Sequence, residues 1–168
     1  MNNLHKYLSD EEFNNIKIEK NLYVKALALV NILFKEKKDK EGEPYLLHLM
    51  RVSNSVVEPN TRVAGLLHDT VEDIESITYD DLLDIGFTKP IIDIVRIVTT
   101  EDKEKPYHDK ITSILETNNY EAIKLKYADM SDNSNPERIS KLDKQTQEKL
   151  HEKYDKELNR LKEYLERS

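Results

Sequence analysis

The sequence predicts an all-α protein, a bundle of about 8–10 helices. Its 168 residues contain only three glycines, and neither Asn-Gly nor Asp-Gly, the dipeptides that turn tight hairpins, occurs. The apolar residues are also strongly patterned at helical spacing, which excludes a disordered chain despite a hydrophobic content of 38%.

The elements follow in order. Ser9 with Glu12 reads as a capping box, opening a helical stretch to about Lys37 with a break near Asn21. A polar loop from Glu36 to Pro44 carries Gly42 and leads to a helix over Pro44 to Val57. Pro59-Asn60 breaks that helix, and Asn60 caps a third that runs to about Ile74. Thr78 opens a short helix that Gly86 closes, and Thr88 starts another, with Pro90 tolerated in its first turn. After a charged loop over Glu101 to Lys105, helices are expected at Tyr107–Glu116 and Asn119–Asp132. The last, Asp143–Glu166, aligns Leu150, Tyr154, Leu158, Leu161 and Leu165 on one stripe. With no repeat, low-complexity segment or linker, residues 1–168 are expected to form one domain.

Charge and composition exclude several functions. The net charge of −7 argues against sequence-independent nucleic-acid binding, though a local basic patch still suits a small phosphorylated ligand. Without cysteine there is no disulfide, thiolate metal site or cysteine nucleophile. The most apolar stretch, Tyr23 to Phe34, is interrupted by Lys25 and Asn31 and is too short to span a bilayer. Met1 to Glu12 lacks the apolar core of a signal peptide, so a soluble cytoplasmic protein is expected.

The third helix concentrates chemistry. At about 100° per residue, Glu72, Asp69 and Asp73 fall about 40°, 100° and 140° from His68, beside Gly65, which leaves space there. Three carboxylates this close repel one another, and a divalent cation relieves that strain. Taken alone, each candidate has a plainer reading: a solvated charged face for His68-Asp69, a satisfied half-buried side chain for His48, helix capping for Asp129 and Asn133. Taken together, two His and two Asp from three helices suit the first shell of one Mn, Fe, Co or Zn ion.

These residues carry a resemblance. Lys37-Lys38-Asp39, then Gly42-Glu43-Pro44-Tyr45 and His48, is similar to the basic-pair, Gly-x-Pro-Tyr and metal-His stretch of HD-domain metal-dependent phosphohydrolases. Leu66-Leu67-His68-Asp69-Thr70-Val71-Glu72-Asp73 looks like their HD signature with its Glu-Asp pair, and Lys126 to Asn133 resembles their Leu-Ala-Asp segment with Asn four residues after the Asp. The likeness runs from about Tyr23 to Tyr154 and points to the hydrolase domain of RelA/SpoT-type alarmone enzymes. It implies metal ligands His48, His68, Asp69 and Asp129, with one Mn²⁺ per chain. It implies Glu72 and Asp73 as the acid/base pair, Lys37 and Lys38 at phosphate or base, Asn133 at sugar or base, and Tyr154 completing the pocket. The nucleotide substrate it implies is guanosine tetraphosphate, cleaved at its 3′-pyrophosphate. An HD-type nucleotidase or phosphatase, and a non-catalytic nucleotide-binding helical module, are the alternatives.

Three departures bear on the substrate. Leu49 stands where the family has Pro, Lys37 replaces a frequent Arg and loses its planar fork, and Met130-Ser131-Asp132 differs from the long alarmone enzymes. The last segment is closer to small standalone relatives.

Overall fold

A computed structural model describes residues 2–167; Met1 and Ser168 lie outside the described residues. A 3₁₀ turn, Asn3–Lys6, precedes eleven α-helices. These are α1 (Asp10–Ile18), α2 (Leu22–Leu33), α3 (Tyr45–Asn54), α4 (Pro59–Leu67), α5 (Thr70–Asp73) and α6 (Tyr79–Asp84). They continue as α7 (Lys89–Val98), α8 (Tyr107–Glu116), α9 (Tyr120–Asn133), α10 (Pro136–Ile139) and α11 (Lys144–Arg167). Nine of the eleven are six residues or longer, so the expected all-α bundle stands, with two single-turn helices added.

Local chemistry explains most helix starts. Ser9 and Glu12 form the expected reciprocal box, and Thr78 forms a second one with Asp81. Asn21 receives the N–H groups of Tyr23 and Val24, which turns the interruption near Asn21 into the start of α2. Gly86 closes α6 with φ +107°, and a Cβ there would lie 2.6 Å from Lys25 Nζ. That ammonium is buried and donates to the carbonyls of Lys17 and Ile85, so the charge that interrupts the apolar run of α2 caps two helix ends.

Four expectations are corrected around the third helix. The helix before it stops at Asn54 rather than Val57. The third helix begins with Pro59 itself, with Glu58 rather than Asn60 at the N-cap position and no side-chain cap, because proline fits the first helical position, where no N–H partner exists. It also ends at Leu67, not near Ile74. His68 Nδ1 takes the carbonyl of Gly65 at 2.8 Å, the group an unbroken helix offers to the N–H of Asp69. Asp69 then adopts φ −95°, ψ 0°, and α5 begins at Thr70 as a separate turn. Nor does Gly65 open space in a site: a Cβ there would meet Ser53 Cα at 2.9 Å, so this glycine lets α3 and α4 pack backbone to backbone.

Two apolar clusters flank α9. One gathers α1 to α7 around Leu29, Leu49, Leu66 and Ile92; the other joins α8, α10 and α11 through Ile111, Ile139, Leu150 and Leu161. Helix α9 gives Ala122, Leu125 and Ala128 to the first and Ile123 and Met130 to the second. Buried on two sides, it carries Asp129 into the middle of the bundle. The stripe of α11 packs as expected, with one charged member, Glu157, held by His108 and Arg160. Leu49 is fully buried within α3, which starts at Tyr45 after Pro44, so this departure leaves the start of the helix intact. Among the described residues, no helix is long and apolar enough to cross a membrane.

Candidate metal centre

His48 sits in the first turn of α3, His68 and Asp69 at the turn after α4, and Asp129 in the last turns of α9. The fold brings all four together. His48 Nε2 lies 3.7 Å from Asp69 Oδ2 and 3.4 Å from Asp129 Oδ1; His68 Nε2 lies 3.2 Å and 3.6 Å from the same two atoms. These are the spacings of donors around one first-row ion with bonds of about 2.1 Å. His48, His68 and Asp69 form the tightest group, with donor atoms all within 4.8 Å of one another, and these residues can hold a metal ion.

The imidazoles are arranged to receive a metal. Both Nδ1 atoms are committed outward, His48 to Asp132 Oδ2 at 2.7 Å and His68 to the Gly65 carbonyl. Both Nε2 atoms are buried, face the carboxylates and lack a hydrogen-bond partner. A buried orphan nitrogen costs free energy comparable to a lost hydrogen bond. Two converging on two carboxylates are the donor set of a nitrogen–oxygen metal site.

Electrostatics agree with the geometry. Burial pushes the Asp69 carboxyl up, but the His68 imidazole outweighs it and holds the group at about 2. Asp129 is likewise held well below the carboxylate range, its burial outweighed by Lys126, whose Nζ donates at 2.9 Å, and by the two imidazoles. Both histidines are raised, because the surrounding carboxylates overcome burial. Two further contacts steady the acids. Tyr45 donates its hydroxyl to Asp69 Oδ2 at 2.6 Å, and Asn133 donates Nδ2 to Asp129 Oδ1 at 2.7 Å.

The remaining candidates divide. Two cavities of about 250 Å³ and 200 Å³ adjoin the centre and share Tyr45, Asn133 and Tyr154 as wall. Glu72 lines the smaller one, its Oε2 accepting the Thr100 N–H at 3.0 Å. Lys38 lines the larger. Asp73 and Lys37 line neither; they pair with each other at 2.5 Å, and the Lys37 ammonium lies 4.3 Å over the Tyr45 ring.

Sequence reasoning missed much of the basic lining. Lys103, Lys110, Lys126 and Lys153 all face the smaller cavity, beside Asp69, Glu72 and Asp129. Burial, and then the charges of Lys40 and Lys126, lower the Lys153 pKa. Lys103 belongs to the charged loop before α8, and Lys126 stands three residues before Asp129, the spacing of a helical pair. Lys153 flanks Tyr154 on α11, but neither neighbour marks it as part of a cavity.

Known proteins resemble this chain in sequence over part of its length and in fold. A protein of Mycoplasma genitalium named a probable guanosine-3′,5′-bis(diphosphate) 3′-pyrophosphohydrolase is 34% identical over 106 residues, which are 60% of this chain and 14% of that protein. Its namesake in Mycoplasma pneumoniae is 42% identical over 82 residues, 46% of this chain and 11% of the other. The chain thus spans about a seventh or less of the curated relatives it matches. A solved structure described as a metazoan ortholog of SpoT that hydrolyzes ppGpp superposes with a TM-score of 0.63, covering 89% of this chain and 94% of that one at 21% identity. This chain has the fold of that SpoT ortholog. No family model matches the chain. Within that fold, the two cavities and the convergence of His48, His68, Asp69 and Asp129 are read from this chain's own geometry.

Proposed function

We propose that residues 1–168 act as one metal-dependent phosphohydrolase domain in the cytoplasm. The substrate is guanosine 3′,5′-bis(diphosphate), cleaved at its 3′-diphosphate to give GDP and pyrophosphate, with neither nucleic acid nor membrane as a partner. One observation carries the reading: two orphaned imidazole nitrogens converge with two carboxylates beside a cavity lined by four lysines. The names of the two mycoplasma relatives support the choice of nucleotide.

His48, His68, Asp69 and Asp129 hold one Mn²⁺ per chain. A bound divalent ion lowers the pKa of water and polarises a phosphoryl oxygen. Glu72 is oriented by the Thr100 N–H and takes a proton from the attacking water at the cavity wall. Asp73 stands behind it in ion pair with Lys37, which therefore anchors the second member of the Glu-Asp pair instead of meeting phosphate. Lys103, Lys110, Lys126 and Lys153 neutralise the phosphates that a protein of net charge −7 otherwise repels. The larger cavity, with Ile139, Leu142, Leu150 and Tyr154 as apolar wall and Lys38 at its rim, takes the nucleoside, and Asn133 stands between the two.

One observation favours a second reading, an HD-type hydrolase of another phosphorylated nucleotide. The position of a frequent base-stacking Arg is Lys37, and its ammonium is spent on Asp73. Ranking kcat/KM of the Mn²⁺-loaded protein over guanosine tetraphosphate, its adenosine analogue and simple 5′-nucleotides separates the two. The first reading expects the guanosine 3′-pyrophosphate to lead by at least tenfold. Faster cleavage of 5′-mononucleotides overturns it.

A further inference from the structure

The two central histidines are oriented by different means. His68 Nδ1 uses a backbone carbonyl, whereas His48 Nδ1 uses the carboxylate of Asp132, 84 residues away in sequence. That carboxylate is itself fixed on both oxygens. Arg51 donates Nε to Oδ1 at 2.6 Å and a terminal nitrogen to Oδ2 at 3.1 Å. Arg138 donates to Oδ2 and to the Asp132 carbonyl.

Arg138 does more than hold Asp132. Its other nitrogens reach Asp39 Oδ2 at 2.9 Å and Glu41 Oε1 at 2.5 Å, both in the loop between α2 and α3. Asp39 in turn receives the N–H groups of Glu41 and Glu43 on Oδ1, and Gly42 closes the turn with φ +85°. The loop that carries Lys38 and Lys40 along the larger cavity is thereby tied, through one guanidinium, to the carboxylate that orients His48. The side chains of Asp39, Glu41 and Asp132 are 7–8% exposed and that of Arg138 15%, so these contacts are sheltered from solvent. Three acids face Arg138, Arg51 and Lys141, so the cluster balances its own charge.

We propose that Asp132 is a positioning residue for the metal ligand His48, and that Arg138 clamps the cavity loop onto it so that loop and ligand move as one unit. This rests on the metal reading above. The carboxylate fixes the imidazole tautomer, keeps the Nε2 lone pair aimed inward and raises the basicity of the ring. Losing such a partner costs a metal site about 10–100-fold in affinity.

The test is a Co²⁺ titration of the full chain followed by visible absorption, without substrate, alongside thermal unfolding of the metal-free protein. Asp132→Ala should weaken Co²⁺ binding about 10–100-fold. Asp132→Asn is isosteric and keeps an acceptor for the His48 N–H, so it should fold and lose less, but still at least about threefold. Arg138→Gln leaves Arg51 on Asp132, so Co²⁺ affinity should stay within about threefold while the amides of Glu41, Gly42 and Glu43 exchange with deuterium at least about tenfold faster. Wild-type affinity in both Asp132 variants, whatever their melting temperature, overturns the positioning role. Unchanged loop exchange in Arg138→Gln overturns the clamp. A wild-type chain that takes up no Co²⁺ instead sinks the metal reading itself, a result distinct from either.

Discussion

His68 and Asp69 are adjacent, yet they reach the centre because the helix gives way between them. A ligand and a proton-handling carboxylate are then distinguished by direction. Asp69 Oδ2 points at both imidazoles, whereas Glu72 points at the Thr100 N–H. Asp69→Asn should therefore lose both bound metal and turnover, while Glu72→Gln should keep metal near one per chain and lose turnover by at least about a hundredfold. Elemental analysis after Mn²⁺ loading and desalting, paired with rate measurement, checks this; an emptied site in Glu72→Gln would reverse the two roles. The imidazoles also fix the direction of a pH effect. Their pKa values are raised in the metal-free protein, and a metal needs them neutral, so protons compete more strongly as pH falls. Metal affinity should drop about ten- to a hundredfold per pH unit once the pH lies below the raised values, one factor of ten for each proton displaced. Titrating Mn²⁺ between pH 8 and about pH 6 reads that slope directly; a flat response would mean that the histidines do not bind the ion.

Helices α3 and α4 lie closest where Gly65 meets Ser53, and Ser53 Oγ donates to the Arg62 carbonyl at 2.7 Å across the same seam. Gly65→Ala drives a methyl group into backbone that cannot swing aside, so it should destabilise by about 1–3 kcal/mol. For a domain of this size that lowers the melting temperature by about 2–4 °C per kcal/mol, read by thermal unfolding. An unchanged melting temperature would show that the two helices separate freely. This scale also separates what the sequence makes legible from what it does not. Helix starts at Ser9, Asn21, Thr78 and Asn119 are readable because a cap and its N–H lie within three residues. The stop at Leu67 is not, because it depends on an imidazole turning back on Gly65 while its other nitrogen faces Asp129 on a distant helix. Helix α10 carries both of its signals, Asn135 as cap and Pro136 at its first position, but one turn leaves no periodicity to find.

Across the whole molecule, α9 holds the account together by lying between the two apolar clusters and placing Asp129, Asp132 and Asn133 where α3, α4 and α11 converge. The motif-bearing residues could be picked out of the sequence because histidine and aspartate are scarce among apolar neighbours. The lysines of the smaller cavity could not, since they come from the loop before α8, from α8, α9 and α11, and only packing makes them neighbours. The role of Asp132, which in sequence is only part of a departure from the long alarmone enzymes, is hidden for the same reason: its partner is in α3. The central claim joins those parts, a metal at the His–Asp cluster and phosphates on the lysines, into one hydrolytic reaction. Phosphorus NMR of guanosine 3′,5′-bis(diphosphate), incubated with the Mn²⁺-loaded and the metal-stripped chain, tests it most directly. The account predicts loss of the 3′ signals with appearance of free pyrophosphate and GDP, in the loaded sample alone. Release of orthophosphate in place of pyrophosphate, equal cleavage by the stripped chain, or an intact nucleotide in both samples would contradict it.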